Sequence, residues 1–95
     1  DRRGMAAWVA IAEREGPGAV DLEERDEKGH SALMYFAAWG WTNLARRLLR
    51  WGADVEAENE SGQTALYAAA ANGHTETVKM LAMVEYVKVQ VVMKT

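Results

Sequence analysis

The chain has 95 residues, 49% of them hydrophobic and 26% charged. That bounds it to one small domain, near the size where a single core only just stabilises a fold, and makes it too apolar for disorder; its formal charge of −3 argues against nucleic acid as a partner, because phosphate binding needs a basic surface. Cysteine is absent, which excludes disulfides and thiolate metal sites and leaves the redox compartment open, and no apolar run approaches the ~18 residues needed to cross a membrane.

Residues 5 to 12, MAAWVAIA, follow Asp1, Arg2 and Arg3 and imitate the core of a secretory signal. The stretch reads better as a short buried helix, with Trp8 in the core and the charged ERE at 13 to 15 ending in water. The chain opens on Asp1 instead of Met, as a fragment or a processed form would. GPGA at 16 to 19 then breaks the helix at Pro17. DEKG at 26 to 29 has the composition of a tight turn, and Ser31 stands where an N-cap hydroxyl satisfies free helix amides. The helix that follows ends at Gly40, a left-handed C-cap position. Thr42 is placed to cap a second helix, in which Leu44, Ala45, Leu48 and Leu49 share one buried face. Arg46, Arg47 and Arg50 fall on the opposite face, where solvation or salt bridges account for them. Gly52 closes this helix, and ADVEAE leads out to the next turn.

From NESG at 59 to 62 the same order returns 33 positions later. Gly29 pairs with Gly62, Leu33 with Leu66, Ala37 and Ala38 with Ala70 and Ala71, Gly40 with Gly73, Thr42 with Thr75, and Leu48 with Leu81. Asp26 faces Asn59 and Ser31 faces Thr64. Matches fall on small, apolar and turn residues, where backbone shape restricts the choice of side chain. A fixed period in this range marks stacked units, each a helix–turn–helix with a protruding loop. The tail VEYVKVQVVMKT carries no turn signal. Val87, Val89 and Val91 alternate as in a strand, while Leu81, Val84, Lys88 and Val92 continue a helical stripe. The helix is the preferred reading, because nothing between Thr75 and Lys94 breaks one.

The unit resembles an ankyrin repeat. GHSALMYFAAWGW and GQTALYAAAANGH match the opening of that signature, and LLRWGADVEA matches its close. Ala32 and Ala65 stand in place of the motif's proline, and Met34 and Tyr67 in place of its histidine. The resemblance implies an all-α ankyrin-repeat solenoid. Its expected parts are a partial N-terminal unit at 1–25, a full unit at 26–58, a unit with a modified end at 59–84, and a valine-rich tail or cap at 85–95. Because about three units are needed to bury enough surface, the tail is expected either to cover the open end or to pair with another copy of the chain.

Catalysis finds little support. Asp26, His30 and Ser31 could be mistaken for a triad, but neighbours at a helix start point in different directions, and a triad is defined by geometry. His74 falls where ankyrin-like units carry a structural histidine in the inter-helix turn. No P-loop, dinucleotide fingerprint or zinc-protease pattern appears, so no cofactor, metal or enzymatic activity is expected. The resemblance implies instead a protein-binding module, cytoplasmic or nuclear, that holds another protein on its concave side and loop tips. On those positions stand Glu27, Lys28, His30, Trp39, Trp51, Glu58, Glu60, Gln63 and Asn72. Trp41 aligns with His74 and reads as scaffold, whereas Trp39 aligns with Asn72 and, with Trp51, reads as an anchor for a partner. Two acidic loops, Asp21 to Glu27 and Asp54 to Glu60, would steer a basic partner segment.

Overall fold

The structure, a computed structural model, describes residues 2–94. Its elements are α1 (Arg2–Glu15), a 3-10 turn (Pro17–Ala19), α2 (Ala32–Ala38), α3 (Thr42–Arg50), α4 (Ala65–Ala71) and α5 (Thr75–Lys94), with no strand among the described residues. Helices α2 and α4 pack side by side in one layer, and α3 and α5 pair in a second layer behind them.

Each helix pair is shaped by the same local chemistry. Ser31 Oγ accepts the Met34 N–H at 3.4 Å, and Thr64 Oγ1 accepts the Tyr67 N–H at 3.3 Å. At the other end, Gly40 adopts φ 73° and Gly73 φ 72°. In each case the glycine N–H returns to the carbonyl three residues back, and the next N–H to the carbonyl five back. This is the double bond of a Schellman cap, and it turns the chain sharply into the second helix. The loops repeat just as closely. Asp26 Oδ1 accepts the Lys28 and His30 amides at 3.0 and 2.8 Å, and Asn59 Oδ1 accepts those of Ser61 and Gln63 at 2.9 and 3.0 Å.

Successive loops are tied to one another. The Glu60 N–H donates to Lys28 O at 3.1 Å, and the Arg25 guanidinium spans Gly29 O at 3.1 Å and Glu58 O at 2.8 Å. A Cβ at Gly29 would lie 3.0 Å from the Glu60 amide nitrogen, so this glycine is required by the neighbouring loop as well as by its positive φ.

The core runs between the layers through Leu33, Phe36, Ala37, Ala45, Leu48, Val55, Ala65, Ala69 and Leu81, all nearly or fully enclosed. Alanines at 37, 65 and 69 let helices approach closely. The second helix departs from expectation at its start. Thr42 is already the first helical residue, and Trp41 occupies the cap position, its side chain not capping the helix. The Thr42 hydroxyl lies 2.6 Å from that of the buried Thr77, so it joins α3 to α5 and does not cap its own helix.

The tail is one unbroken helix to Lys94, about 30 Å long with the rest of α5. Its valine alternation is therefore not a strand, since each residue finds its hydrogen bond within its own turns. Lys88 reaches back to within 4.0 Å of both Asp54 and Glu56. Tyr86, Val87, Val89, Val91, Val92 and Met93 remain about half exposed or more.

Candidate binding surface

Where α2 and α4 lie side by side they leave a cavity of about 210 Å³. Its floor is apolar and comes from both helices: Met34 and Ala38 on α2, Ala68 and Ala71 on α4. Tyr35 and Tyr67 line it further, and His30, Asn59, Gln63 and Asn72 form a polar rim. The rim is set by local bonds. Asn59 Nδ2 donates to Gln63 Oε1 at 3.0 Å, and Asn72 Nδ2 donates to Ala68 O at 3.0 Å, which leaves the Asn72 oxygen as an acceptor.

Three of the expected binding residues, His30, Gln63 and Asn72, meet in this groove. Glu27, Lys28, Glu58 and Glu60 stand exposed on the loop tips beside it. Part of the acidic charge is used internally: Asp21 and Asp54 bond amides within their own turns, and Glu23 Oε2 accepts the Asp54 N–H at 2.9 Å. Glu24, Glu27, Glu58 and Glu60 form no ion pair among the described residues.

The tryptophans lie elsewhere. Trp39 is half-buried at the end of α2, its ring centroid 4.9 Å from Trp41, 5.4 Å from Tyr35 and 6.4 Å from Phe36. Trp41 lies tilted against Phe36 at 5.4 Å, and Trp8, on α1, meets Phe36 edge-on at 6.4 Å. Trp51 ends α3 and packs, half-buried, against the core. Neither Trp39 nor Trp51 lines the groove. Residues that line it without having been expected to bind include Met34, Tyr35, Asn59, Thr64, Tyr67 and Ala68. Met34 and Tyr67 occupy equivalent places 33 apart, and that shared departure from the motif was the available signal.

The side chains of Asp26, His30 and Ser31 are not joined by hydrogen bonds. His30 Nδ1 lies 3.4 Å from Asp26 Oδ2 but makes no hydrogen bond, while Ser31 is buried and engaged in its cap. His74 Nε2 sits 2.9 Å from Ala38 O. A carbonyl only accepts, so that nitrogen carries the proton and ties the two units together. No group of three or more His, Asp or Glu among the described residues is arranged to hold a metal ion, and none of the described helices is long and apolar enough to cross a membrane.

Asp26 holds the loop in its charged form. The Tyr35 hydroxyl donates to its Oδ2, and the His30 amide to its Oδ1, so its pKa falls from 3.8 to about 2. The same contact raises Tyr35, because a phenolate would face the carboxylate. A lowered folded pKa means stability that is complete above about pH 4 and is lost as pH falls towards 2. Melting temperatures of the native chain and Asp26→Asn should differ at pH 6 and converge as pH approaches 2. Asn59 shows that asparagine can form the same turn, so the substitution keeps the Oδ1 bonds and removes the charge together with the acceptor of the Tyr35 hydroxyl. A constant difference across that range would rule out the charged carboxylate as the source.

The family model described as ankyrin repeats (three copies) matches residues 6–92. Comparison with curated proteins gave no match.

Proposed function

Because the chain belongs to the ankyrin-repeat family, we propose that it is a protein-binding module whose partner docks in the α2–α4 groove under the guidance of the acidic loop tips. The observation that carries this reading is the groove itself, an apolar floor with a polar rim drawn from two successive units. An apolar side chain of the partner would displace water from Met34, Ala38, Ala68 and Ala71, while Gln63 and Asn72 bond its backbone or polar groups. Glu27, Glu58 and Glu60, with Lys28 among them, would favour a partner with a basic segment and quicken its encounter. Trp39 and Trp51, half-buried against the core, serve in this reading as support for the helices. The activity is recognition without catalysis.

Affinity capture from cell lysate tests it, comparing the native chain with Ala71→Arg, which fills the groove from an exposed position. Both proteins are first matched by circular dichroism. Proteins held by the native chain should be lost from Ala71→Arg and weakened by Glu58→Lys, Glu60→Lys, with the native complex dissolving as salt rises. Equal capture by the native chain and Ala71→Arg would move the site off the groove, and a matched Trp39→Ala, Trp51→Ala variant would then ask whether the rings are anchors.

One observation favours a second reading. The last three turns of α5 expose Tyr86, Val87, Val89, Val91, Val92 and Met93 together, an apolar surface suited to pairing with a second copy. Light scattering should then give a concentration-dependent dimer that disappears when residues 85–95 are deleted. A monomer at every concentration would end that reading.

A further inference from the structure

A cavity of about 600 Å³ lies on the other side of the array, between α3 and α5. Its floor is Leu49, Met80 and Val84, all packed against the core, and Met83 rises at its edge with 63% of its surface exposed. Methionine at such a place is a flexible apolar surface able to fit differing side chains.

The groove is bordered by charge of one predominant sign. Arg46 and Arg50 stand one turn apart on α3, with Lys79 opposite on α5, against a single carboxylate, Glu76. Glu76 lies 3.9 Å from Lys79, Arg46 bonds only the neutral Asn43, and Arg50 has no carboxylate partner among the described residues. Arg47, by contrast, turns away and pairs with Glu13 of α1. Two arginines are thus left beside an apolar trough in a chain whose net charge is −3.

We propose that the α3–α5 groove is a second docking site, taking a short acidic amphipathic helix from another protein. An apolar stripe at helical spacing would lie on Leu49, Met80, Met83 and Val84, with carboxylates along its margins meeting Arg46, Arg50 and Lys79. Residues 76 to 84 span about 12 Å of α5, which sets the contact at roughly two helical turns. The trough lies between two helices, and the neighbouring cavity, which shares Leu49 and Val84, is lined by Asp54 with Lys88 4.0 Å from it. A recess floored by Leu49, Met80 and Val84 between two helices suits inserted side chains better than a flat anionic lipid surface.

The test is fluorescence anisotropy of a labelled 16-residue peptide, four copies of Leu-Glu-Glu-Leu, titrated with the full chain. Its counterpart with lysine for glutamate is the control. Saturable binding of the glutamate peptide is expected, weakened at least about tenfold by Arg46→Glu, Arg50→Glu, weakened also by Met83→Asp, and unchanged by Ala71→Arg. The substituted positions are exposed, and each variant is confirmed folded by circular dichroism before use. No saturable binding, equal binding of the lysine peptide, or indifference to the arginine reversal would overturn the proposal. So would two direct rivals: sedimentation with phosphatidylserine vesicles in place of peptide binding, or a dimer in light scattering that the arginine reversal abolishes.

Discussion

Phe36→Ala is expected to cost about 3–5 kcal/mol of folding stability, the range for truncating a fully buried aromatic ring. Phe36 has no solvent exposure, and three tryptophan rings, Trp8, Trp39 and Trp41, stand within 6.4 Å of its centroid. The site cannot easily collapse around alanine, because those rings are held by separate elements: Trp8 by α1, Trp39 by the cap of α2 and Trp41 by the start of α3. A chain of this size has a total stability on the order of 5–14 kcal/mol, so the loss consumes a large part of it. The melting temperature should fall by roughly 20 °C, and the near-ultraviolet dichroism of the tryptophans should flatten before the far-ultraviolet helix signal does. Phe36→Leu, which keeps most of the volume, should retain most of the stability. A loss under about 1 kcal/mol for Phe36→Ala would mean that the rings repack without it, and that the cluster is not a structural unit.

That cluster answers why AAWGWT stands where the following unit has AANGHT. At the second interface α2 meets α4 directly, and small residues such as Ala69, fully buried, bring backbones close. At the first, α1 reaches α2 through side chains, Trp8 on Phe36, and large rings fill the space between them. The repeat was legible in the sequence because caps and turns are local: Ser31 and Thr64, Gly40 and Gly73, Asp26 and Asn59 each act on amides a few residues away. Contacts between units were not, because a 33-residue match says which positions correspond and not which neighbour each side chain meets. Thr42 looks like a cap until Thr77 is seen opposite its hydroxyl. Trp39 looks like a groove residue from its alignment with Asn72, yet its ring joins Trp41 and Tyr35. Arg46, Arg47 and Arg50 look alike on α3, and only the placement of α1 and α5 separates the one paired with Glu13 from the two beside the open groove.

The same distinction between local shape and neighbouring units yields a sharper expectation at the glycines. Gly40 and Gly73 have nearly the same φ, 73° and 72°, and close the same kind of cap. On backbone grounds alone, alanine at either should cost about 1–2 kcal/mol for the left-handed conformation. Gly73 should cost only that, since a Cβ there meets nothing within 4 Å. A Cβ at Gly40 would lie 2.6 Å from His74 Nδ1 and 2.9 Å from two ring carbons. His74 cannot simply move aside, because its Nε2 holds Ala38 O at 2.9 Å across the two units. Displacing the ring adds about 1–3 kcal/mol for overpacking and about 1 kcal/mol for the broken bond, so Gly40→Ala should cost about 3–6 kcal/mol in all. Urea unfolding of both variants measures the difference. The double variant Gly40→Ala, His74→Ala locates its cause: with the ring gone, Gly40→Ala should cost no more than Gly73→Ala, giving a large coupling between the two positions. Equal costs for the two glycines in the native background would show that the cap alone governs both. A Gly40 penalty that survives removal of His74 would place the strain in the turn, and the histidine would no longer explain why this glycine sits between two tryptophans.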